Sequence, residues 1–216
     1  MYTVICEELV FSKQAKELAD FYGKVAPIYA VSKKVYDRLC EKGNTSGIVV
    51  YTQIEQLDKK DLSKLQNILV CDGIEISGNI GTIFRTADAT KIDAIIFTNL
   101  RAKVYDDKVL HASRGMIFEV PFAIMDLKDV QQFLKQNGFT SVLCEPEQGV
   151  DYKQFEYKGK KAYIVGSERF GADKSWFKQE NVEFLKIPMD GVMDSLNVGV
   201  AASLIMYEVR YGKGTK

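Results

Sequence analysis

The chain has 216 residues, of which 46% are hydrophobic and 27% charged, and its 29 basic side chains balance 29 acidic ones. This length and composition are typical of a globular protein with one full domain, or with one domain and a small companion. The sequence shows neither a signal-peptide pattern nor an apolar run near the roughly 20 residues of a membrane span, so we expect a cytoplasmic protein without membrane contact.

Balanced charge also disfavours a protein that coats nucleic acid, although it leaves room for a local basic face. The four cysteines and the single histidine are scattered and do not form a zinc-binding pattern. We expect the thiols to be reduced and mostly buried in strands, as in a cytosolic protein. These residues are Cys6, Cys40, Cys71, Cys144 and His111.

Short apolar runs alternate with helical patterns along most of the chain, which is typical of an α/β protein with a largely parallel sheet. In the first 55 residues the pattern predicts strands at 3–6, 28–31 and 47–52 and helices at 12–22 and 33–40. Ser32 occupies the position of a cap for the second helix. These elements make a thin core, so we expect this part to lean on the rest of the chain or to be part of something larger.

A charged stretch, LDKKDLSKLQ at 57–66, is predicted to be a linker or a short surface helix. We therefore expect a small domain at 1–55, a linker at 56–66 and a second domain at 67–216. The second domain is predicted to be a mostly parallel sheet with helices on both faces. Its strands are expected at 67–71, 94–98, 140–143, 161–165 and 183–187, and its helices at 79–89, 126–135 and 195–211.

The last predicted helix carries apolar residues on nearly every face, among them Leu196, Val200, Leu204 and Ile205. Such a helix is buried either in a core or against a second subunit. The pattern leaves both interpretations open.

Three segments place glycine and polar residues directly after apolar strands, where ligands bind in open α/β sheets. In the first segment Asn79 is expected to cap a helix, with Arg85 nearly two turns inside it. Its glycines do not follow the G-x-G-x-x-G spacing, which disfavours a dinucleotide-binding enzyme. Singly, each segment also fits a structural turn, a helix cap or a surface ion pair. The segments are DGIEISGNIGTIFRT at 72–86, VGSERFG at 165–171 and IPMDGVMDSLNVG at 187–199.

Together these segments resemble the three ordered motifs of the SpoU/TrmH family of RNA ribose methyltransferases, which belong to the SPOUT superfamily. The matching patterns are N-x-G-x-x-x-R-T at 79–86, G-S-E-x-x-G at 166–171 and I-P-M-x-G-x-x-x-S-L-N-V at 187–198. The resemblance runs over residues 67–211 and implies a C-terminal trefoil knot. Residues 1–55 look similar to the later part of a ribosomal-protein-like substrate-binding domain, which is then shortened or truncated.

The resemblance implies an enzyme that transfers the methyl group of S-adenosylmethionine to a ribose 2′-hydroxyl of RNA, without a metal. Arg85 would be the central catalytic residue. A guanidinium is always protonated and makes a poor base, so we expect Arg85 to hold a phosphate and stabilise the oxygen that loses its proton. The residues implied to position Arg85 and the ribose are Asn79, Glu168, Ser195 and Asn197. Those implied to contact the cofactor are Gly166, Ser167, Ile187, Pro188, Met189, Leu196 and Asn197.

The ribosomal-protein-like segment favours ribosomal RNA as the substrate over transfer RNA. The resemblance also implies a homodimer that packs through the last helix, which would pool basic groups on one RNA-facing surface; a solvated face balanced by acids is an equal alternative. These groups are Lys33, Lys34, Arg38, Arg101, Lys103 and Arg114. Lys91 and Arg169 depart from the family pattern in ways that bear on substrate preference.

Three alternatives remain. A non-catalytic RNA-binding module that keeps the fold would bind RNA without methylating it. A methyltransferase of the same family directed to transfer RNA would share every motif. A nucleotide enzyme of the Rossmann type is the weakest alternative, because of the glycine spacing.

Overall fold

The computed structural model describes residues 1–40, 45–57 and 59–212. They form two compact units, Met1–Glu55 and Gln56–Lys216. None of the helices in this described part of the chain has the length and apolar content needed to cross a membrane.

The first unit is a three-stranded sheet with two helices. Its central strand runs parallel to one neighbour and antiparallel to the other, in the order β2–β1–β3. In chain order the elements are β1 (Tyr2–Ile5), α1 (Lys13–Val25), β2 (Ile28–Ala30), α2 (Lys33–Leu39) and β3 (Ile48–Tyr51). The core is small, as the sequence predicts: the buried apolar side chains among the described residues of this unit are Val4, Cys6, Ala19 and Tyr36.

The two helices of this unit begin at serines, but only one serine acts as a cap. The Oγ atom of Ser12 accepts a 3.0 Å hydrogen bond from the backbone N–H of Ala15. Ser32 occupies the cap position of α2, yet its side chain makes no capping hydrogen bond. The position of Ser32 was therefore predicted correctly and its capping role was not.

The second unit is built on a seven-stranded sheet in the order β6–β5–β4–β9–β7–β10–β8, in which neighbouring strands run parallel. The prediction of a mostly parallel α/β fold is therefore confirmed, while the trefoil knot stays a prediction. The strands are β4 (Asn67–Asp72), β5 (Ala94–Thr98), β6 (Phe122–Ile124), β7 (Thr140–Cys144), β8 (Val150–Asp151), β9 (Lys161–Val165) and β10 (Val182–Lys186). The helices are α3 (Lys59–Leu62), α4 (Ser77–Thr90), α5 (Asp107–Ser113), α6 (Leu127–Gln136) and α7 (Val198–Tyr211).

Alternate side chains of the central strands pack on opposite faces of this sheet. On one face, Ile68 and Ile96 join a core that includes Phe133 of α6 and the fully buried Trp176. On the other face, Phe97 lies 5.7 Å from Phe84 of α4, measured between ring centroids. Helix α4 also packs against α5 and α7. Helices therefore cover both faces, which is why β4, β5 and β9 are almost entirely apolar and buried.

The segment predicted to be a linker or a surface helix contains α3. The side chain of Leu62 is fully buried in the core of the second unit. The backbone N–H of Leu57 donates a 2.8 Å hydrogen bond to the carbonyl of Phe122.

Two helix starts differ from the prediction. Helix α4 begins at Ser77, so Asn79 lies inside its first turn and does not cap it. Helix α7 begins at Val198 with Asn197 as its cap, so Ser195 and Leu196 precede the helix. The pattern also missed α5, β6 and β8, which are short and carry no clear apolar period.

The cysteines are free thiols, as expected. Cys71 and Cys144 lie in β4 and β7, whereas Cys6 and Cys40 follow β1 and α2. Two of the four therefore lie outside strands.

Candidate functional site

A cavity of about 620 Å³ opens at the carboxyl ends of β7, β9 and β10. The second and third sequence segments both contribute to it, although they are separated by more than a dozen residues. Its lining consists of residues 144–147, 165–168, 185–190 and 193–196, together with Gly171, Val198 and Ala201. Six of the seven predicted cofactor residues line the cavity, namely Gly166, Ser167, Ile187, Pro188, Met189 and Leu196. Asn197 lies outside the lining.

Bare backbone forms one wall of this cavity. A Cβ atom on Gly166 would lie 2.0 Å from the backbone nitrogen of Ala172, so no other residue fits there without moving the chain. Ser167 and Gly171 exchange backbone hydrogen bonds of 3.0 and 3.1 Å, which close a tight turn around Glu168 and Phe170. Glycine is therefore required at 166 because the backbone of Gly171 and Ala172 packs directly against it.

The cavity is acidic. Five carboxyl groups and one lysine line it: Glu145, Glu147, Glu168, Asp190, Asp194 and Lys186. Burial, and then the neighbouring charge of Glu147, raise the pKa of Glu145 above its ordinary value. Such a lining favours a ligand that carries positive charge. The sequence analysis missed the carboxyl groups at 145 and 147, whose signal is the acidic Glu-Pro-Glu that follows β7.

A chain of three side chains runs from the start of α7 to this cavity. The Nδ2 atom of Asn197 donates a 3.1 Å hydrogen bond to Oδ1 of Asn79. The Nδ2 atom of Asn79 in turn donates to Oε1 of Glu168, which lines the cavity. The Oδ1 atom of Asn197 accepts hydrogen bonds from the backbone N–H groups of Gly199 and Val200, at 3.0 and 3.3 Å. These hydrogen bonds fix the orientation of both side-chain amides. Glu168 therefore accepts its hydrogen bond from an Asn79 amide whose orientation is set by Asn197.

Contacts between helices bring Asn79 and Asn197 together. A Cβ atom on Gly81 of α4 would lie 2.3 Å from Cβ of Ala112, so this glycine lets α5 pack closely. On the side facing α7, the hydroxyls of Thr86 and Ser203 are 2.9 Å apart, within hydrogen-bond distance. Gly81, Thr86 and Ser203 were not predicted as site residues. Their signal in the sequence is a run of small residues in two helices that otherwise bury apolar groups.

The remaining two predicted catalytic residues are not part of this chain of hydrogen bonds. Ser195 lies at the cavity rim, and its Oγ atom donates a 3.4 Å hydrogen bond to Asp194. Arg85 lies on the exposed face of α4, six residues after Asn79, or about 9 Å along the helix axis. Within the described residues, its guanidinium makes no hydrogen bond or ion pair, which leaves it available to an anion.

Among the residues that the structure describes, no cluster of side chains could hold a metal ion. Fold and site together define an α/β protein with a small-molecule cavity at the carboxyl ends of its parallel strands. The chain belongs to the SpoU rRNA methylase family, whose model matches residues 66–207.

Curated relatives carry the same assignment. A protein of Staphylococcus aureus (strain MSSA476), named as a TrmH family tRNA/rRNA methyltransferase, is 38% identical over 163 residues, which cover 74% of this chain and 65% of the relative. A protein of the same name from Staphylococcus saprophyticus is 37% identical over 153 residues, covering 70% and 61%. The matched part is thus less than two thirds of the length of these relatives.

Solved structures share the fold. The AdoMet-bound rRNA methyltransferase of Sinorhizobium meliloti superposes with a TM-score of 0.79 at 23% identity, over 97% of this chain and 78% of that one. The SpoU methyltransferase AviRb of Streptomyces viridochromogenes, in complex with AdoMet, gives the same TM-score and identity, over 96% and 81%.

Proposed function

We propose that this protein is an S-adenosylmethionine-dependent RNA methyltransferase that methylates a ribose 2′-hydroxyl of ribosomal RNA. The observation that carries the proposal is the chain Asn197–Asn79–Glu168, which joins residues of all three motifs at the edge of one cavity. Family membership supports it, and so do the AdoMet complexes of the two fold neighbours. A further neighbour, 24% identical with a TM-score of 0.70, is described as an RNA 2′-O ribose methyltransferase.

The cavity suits S-adenosylmethionine in shape and charge. The backbone at Gly166, Ile187 and Leu196 offers hydrogen-bonding groups beside the apolar side chains of Pro188 and Met189. The acidic lining favours the positive sulfonium of this cofactor. When bound, S-adenosylmethionine supplies an electrophilic methyl group.

Glu168 is the group best placed to act on the ribose. One of its carboxylate oxygens accepts the hydrogen bond from Asn79, which fixes the side chain at the cavity edge. The other oxygen can then accept the hydrogen bond of the 2′-hydroxyl and take its proton as the new O–CH₃ bond forms. Much of the catalysis would be alignment, because the ribose oxygen would have to approach the methyl carbon in line with the carbon–sulfur bond that breaks, with S-adenosylhomocysteine as the leaving group.

Arg85 acts through its charge. A guanidinium binds phosphate in a bidentate manner and cannot serve as the base. In this proposal Arg85 holds the phosphate next to the target ribose and stabilises the oxygen as its proton leaves. Ser195, at the rim, hydrogen-bonds the ribose.

The protein acts in the cytoplasm as a homodimer that packs through α7. Val200, Tyr207 and Tyr211 are exposed and share one face of this helix, which supports a covered surface there. Residues 1–55 serve in binding the RNA substrate. Within the described residues, Lys34 and Arg38 of α2 are exposed and lack an ion pair, whereas Lys33 is paired with Asp37.

Calorimetry with S-adenosylmethionine and incorporation of tritiated methyl groups into unmodified ribosomal RNA test the proposal. We expect Arg85→Ala to bind the cofactor like the wild type and to lose most methyl transfer. Lys128→Ala, which removes an exposed cation from α6, is the matched control and should transfer methyl groups normally. A wild-type protein that does not bind the cofactor would contradict the proposal, and unchanged turnover of Arg85→Ala would remove the role of that residue.

The same experiments separate the alternatives. Incorporation into transfer RNA with none into ribosomal RNA would identify a tRNA-directed methyltransferase. RNA binding without incorporation would identify a non-catalytic module that keeps the fold. The relatives named above are described as tRNA/rRNA methyltransferases, so both RNAs belong in the assay.

A further inference from the structure

A second cavity, of about 490 Å³, lies beside the first and shares Ser167 and Gly171 with it. It opens where β4, β5 and β9 end, and apart from Ser167 and Arg101 its residues carry no role assigned above. Phe170, Arg101 and Lys174 are part of its lining. We call it the Phe170 cavity.

The aromatic ring of Phe170 is held out into water. The residue is 67% exposed and lies on a short turn. The turn is fixed by the backbone hydrogen bonds between Ser167 and Gly171, and the N–H of Phe170 also donates a 3.2 Å hydrogen bond to Oγ of Ser167. These hydrogen bonds hold the backbone from which the ring projects.

Arg101 is stacked against this ring. Its guanidinium carbon lies 4.9 Å from the ring centroid. A 2.6 Å hydrogen bond from Nη1 to Oε1 of Glu75 holds the guanidinium in that place. Arg101 thus backs one face of the Phe170 ring, and the ring is a platform of the kind on which unpaired nucleobases stack.

The Phe170 cavity is lined by two carboxyl groups and two cations, and one of the cations, Lys174, is free to bind an anion. Its two carboxyl groups are already engaged: Asp72 accepts hydrogen bonds from three donors, and Asp173 accepts one from the N–H of Ser175. Lys174 is exposed and has no ion pair within the described residues. The ammonium group of Lys174 is therefore available to bind a phosphate beside the platform.

The platform and the proposed chemistry share one turn. Glu168 lies on this turn and accepts the hydrogen bond from Asn79. Phe170, two residues later on the same turn, lines the second cavity. A nucleotide stacked on Phe170 would lie next to the nucleotide whose ribose reaches Glu168.

From these contacts we propose that the Phe170 cavity binds an unpaired nucleotide of the RNA substrate, next to the nucleotide that is methylated. The base stacks on the face of the Phe170 ring opposite Arg101, and Lys174 binds a phosphate. This inference rests on the proposed function and adds to it the requirement for a single-stranded or flipped-out substrate.

The test uses the full chain and a fluorescein-labelled 20-nucleotide RNA of mixed sequence, alone and hybridised to its complement. Fluorescence anisotropy gives the dissociation constants. Stacking contributes on the order of a fivefold to hundredfold change in affinity per base, so we expect Phe170→Leu to weaken single-strand binding at least fivefold. Phe170→Trp, which keeps an aromatic face, should bind within twofold of the wild type. Phe118→Leu is the matched control, because Phe118 is an exposed phenylalanine that lines neither cavity.

Three results would overturn the inference: single-strand binding that Phe170→Leu leaves unchanged, a wild type that does not prefer the single strand, or a change of oligomeric state in Phe170→Leu by sedimentation equilibrium. The last result would make Phe170 a subunit contact. Calorimetry with S-adenosylmethionine and methyl incorporation by the wild type keep the two proposals apart. If the wild type neither binds S-adenosylmethionine nor incorporates methyl groups, while its affinity for single-stranded RNA still depends on Phe170, the proposed function fails and the RNA site stands. If methyl transfer proceeds with the same KM in Phe170→Leu, the function stands and the site fails.

Discussion

The side-chain amide of Asn197 caps α7 with its oxygen and donates from its nitrogen to Asn79, 118 residues earlier in the chain. One residue thus has a structural role at a helix start and a positioning role toward Glu168. Substitutions that preserve one role and remove the other can separate them.

We expect Asn197→Asp to keep the cap and break the chain. A carboxylate accepts the same backbone N–H groups and is favoured by the helix dipole, but it offers no donor to Oδ1 of Asn79. The lost hydrogen bond offsets the gain from the helix dipole, so the free energy of unfolding in urea should stay within about 1 kcal/mol of the wild type, while methyl transfer falls. Asn197→Ala should lose both roles, with a stability loss of about 1 kcal/mol. Full turnover in Asn197→Asp would contradict the positioning role.

Glu168→Gln tests the proton acceptor. A glutamine oxygen still accepts the hydrogen bond from Asn79, so the fold and cofactor affinity should be retained, whereas the group can no longer take a proton. Loss of a general base costs about a hundredfold or more in rate, and we expect methyl transfer to fall by at least that factor. Single-turnover kinetics with saturating cofactor measure it. Turnover within threefold of the wild type would assign Glu168 to positioning alone.

Asp72 is the buried anchor of the loops at the carboxyl edge of the sheet. Its carboxylate accepts hydrogen bonds from Nδ2 of Asn99 at 2.7 Å, the N–H of Asp173 at 2.8 Å and Nε1 of Trp176 at 2.9 Å. Asp72→Ala leaves these donors without an acceptor, so we expect a loss of about 3 kcal/mol or more in the free energy of unfolding. Asp88→Ala, which removes an exposed ion pair with Lys91, should cost less than about 1 kcal/mol in the same urea titration.

Lys91 ends α4 in the left-handed region, with φ of 54°, where glycine is favoured. We expect Lys91→Gly to stabilise the protein by about 0.5–1 kcal/mol, because relief of backbone strain outweighs the loss of the surface ion pair with Asp88. Lys91→Ala loses the same ion pair and keeps the strain, so it should be no more stable than the wild type. A gain in both variants would place the effect in the side chain and not in the backbone.

The sequence predicted the buried strands best. The runs AIIFT and KAYIV coincide with β5 and β9, because a strand covered on both faces must be apolar throughout. Sites that depend on tertiary partners were harder to predict. The sequence predicts Asn79 to be a cap because asparagine is a common capping residue. In the structure its side-chain amide instead donates a hydrogen bond to Glu168, 89 residues later. Ser195 and Asn197 are both capping residues by type, and the sequence alone does not show that Asn197 is the one that caps α7.

The same limit applies to the second cavity. The sequence predicts Arg101 only as one of several basic groups on a possible RNA-facing surface. It does not predict that the guanidinium lies over the ring of Phe170. The motifs located the first cavity because its walls are contiguous segments. The Phe170 cavity joins short pieces of chain that follow three different strands, at 72–73, 99–101 and 167–174, and periodicity does not reveal that these pieces meet.

The only tryptophan of the chain, Trp176, is fully buried in the second unit and hydrogen-bonded to Asp72. Intrinsic tryptophan fluorescence therefore reports the unfolding of the second unit alone. In a fluorescence experiment, the unfolding of residues 1–55 would have to be followed through their tyrosines. Excitation at wavelengths that select tryptophan, compared with circular dichroism of the whole chain, would reveal whether the two units unfold in one transition or in two.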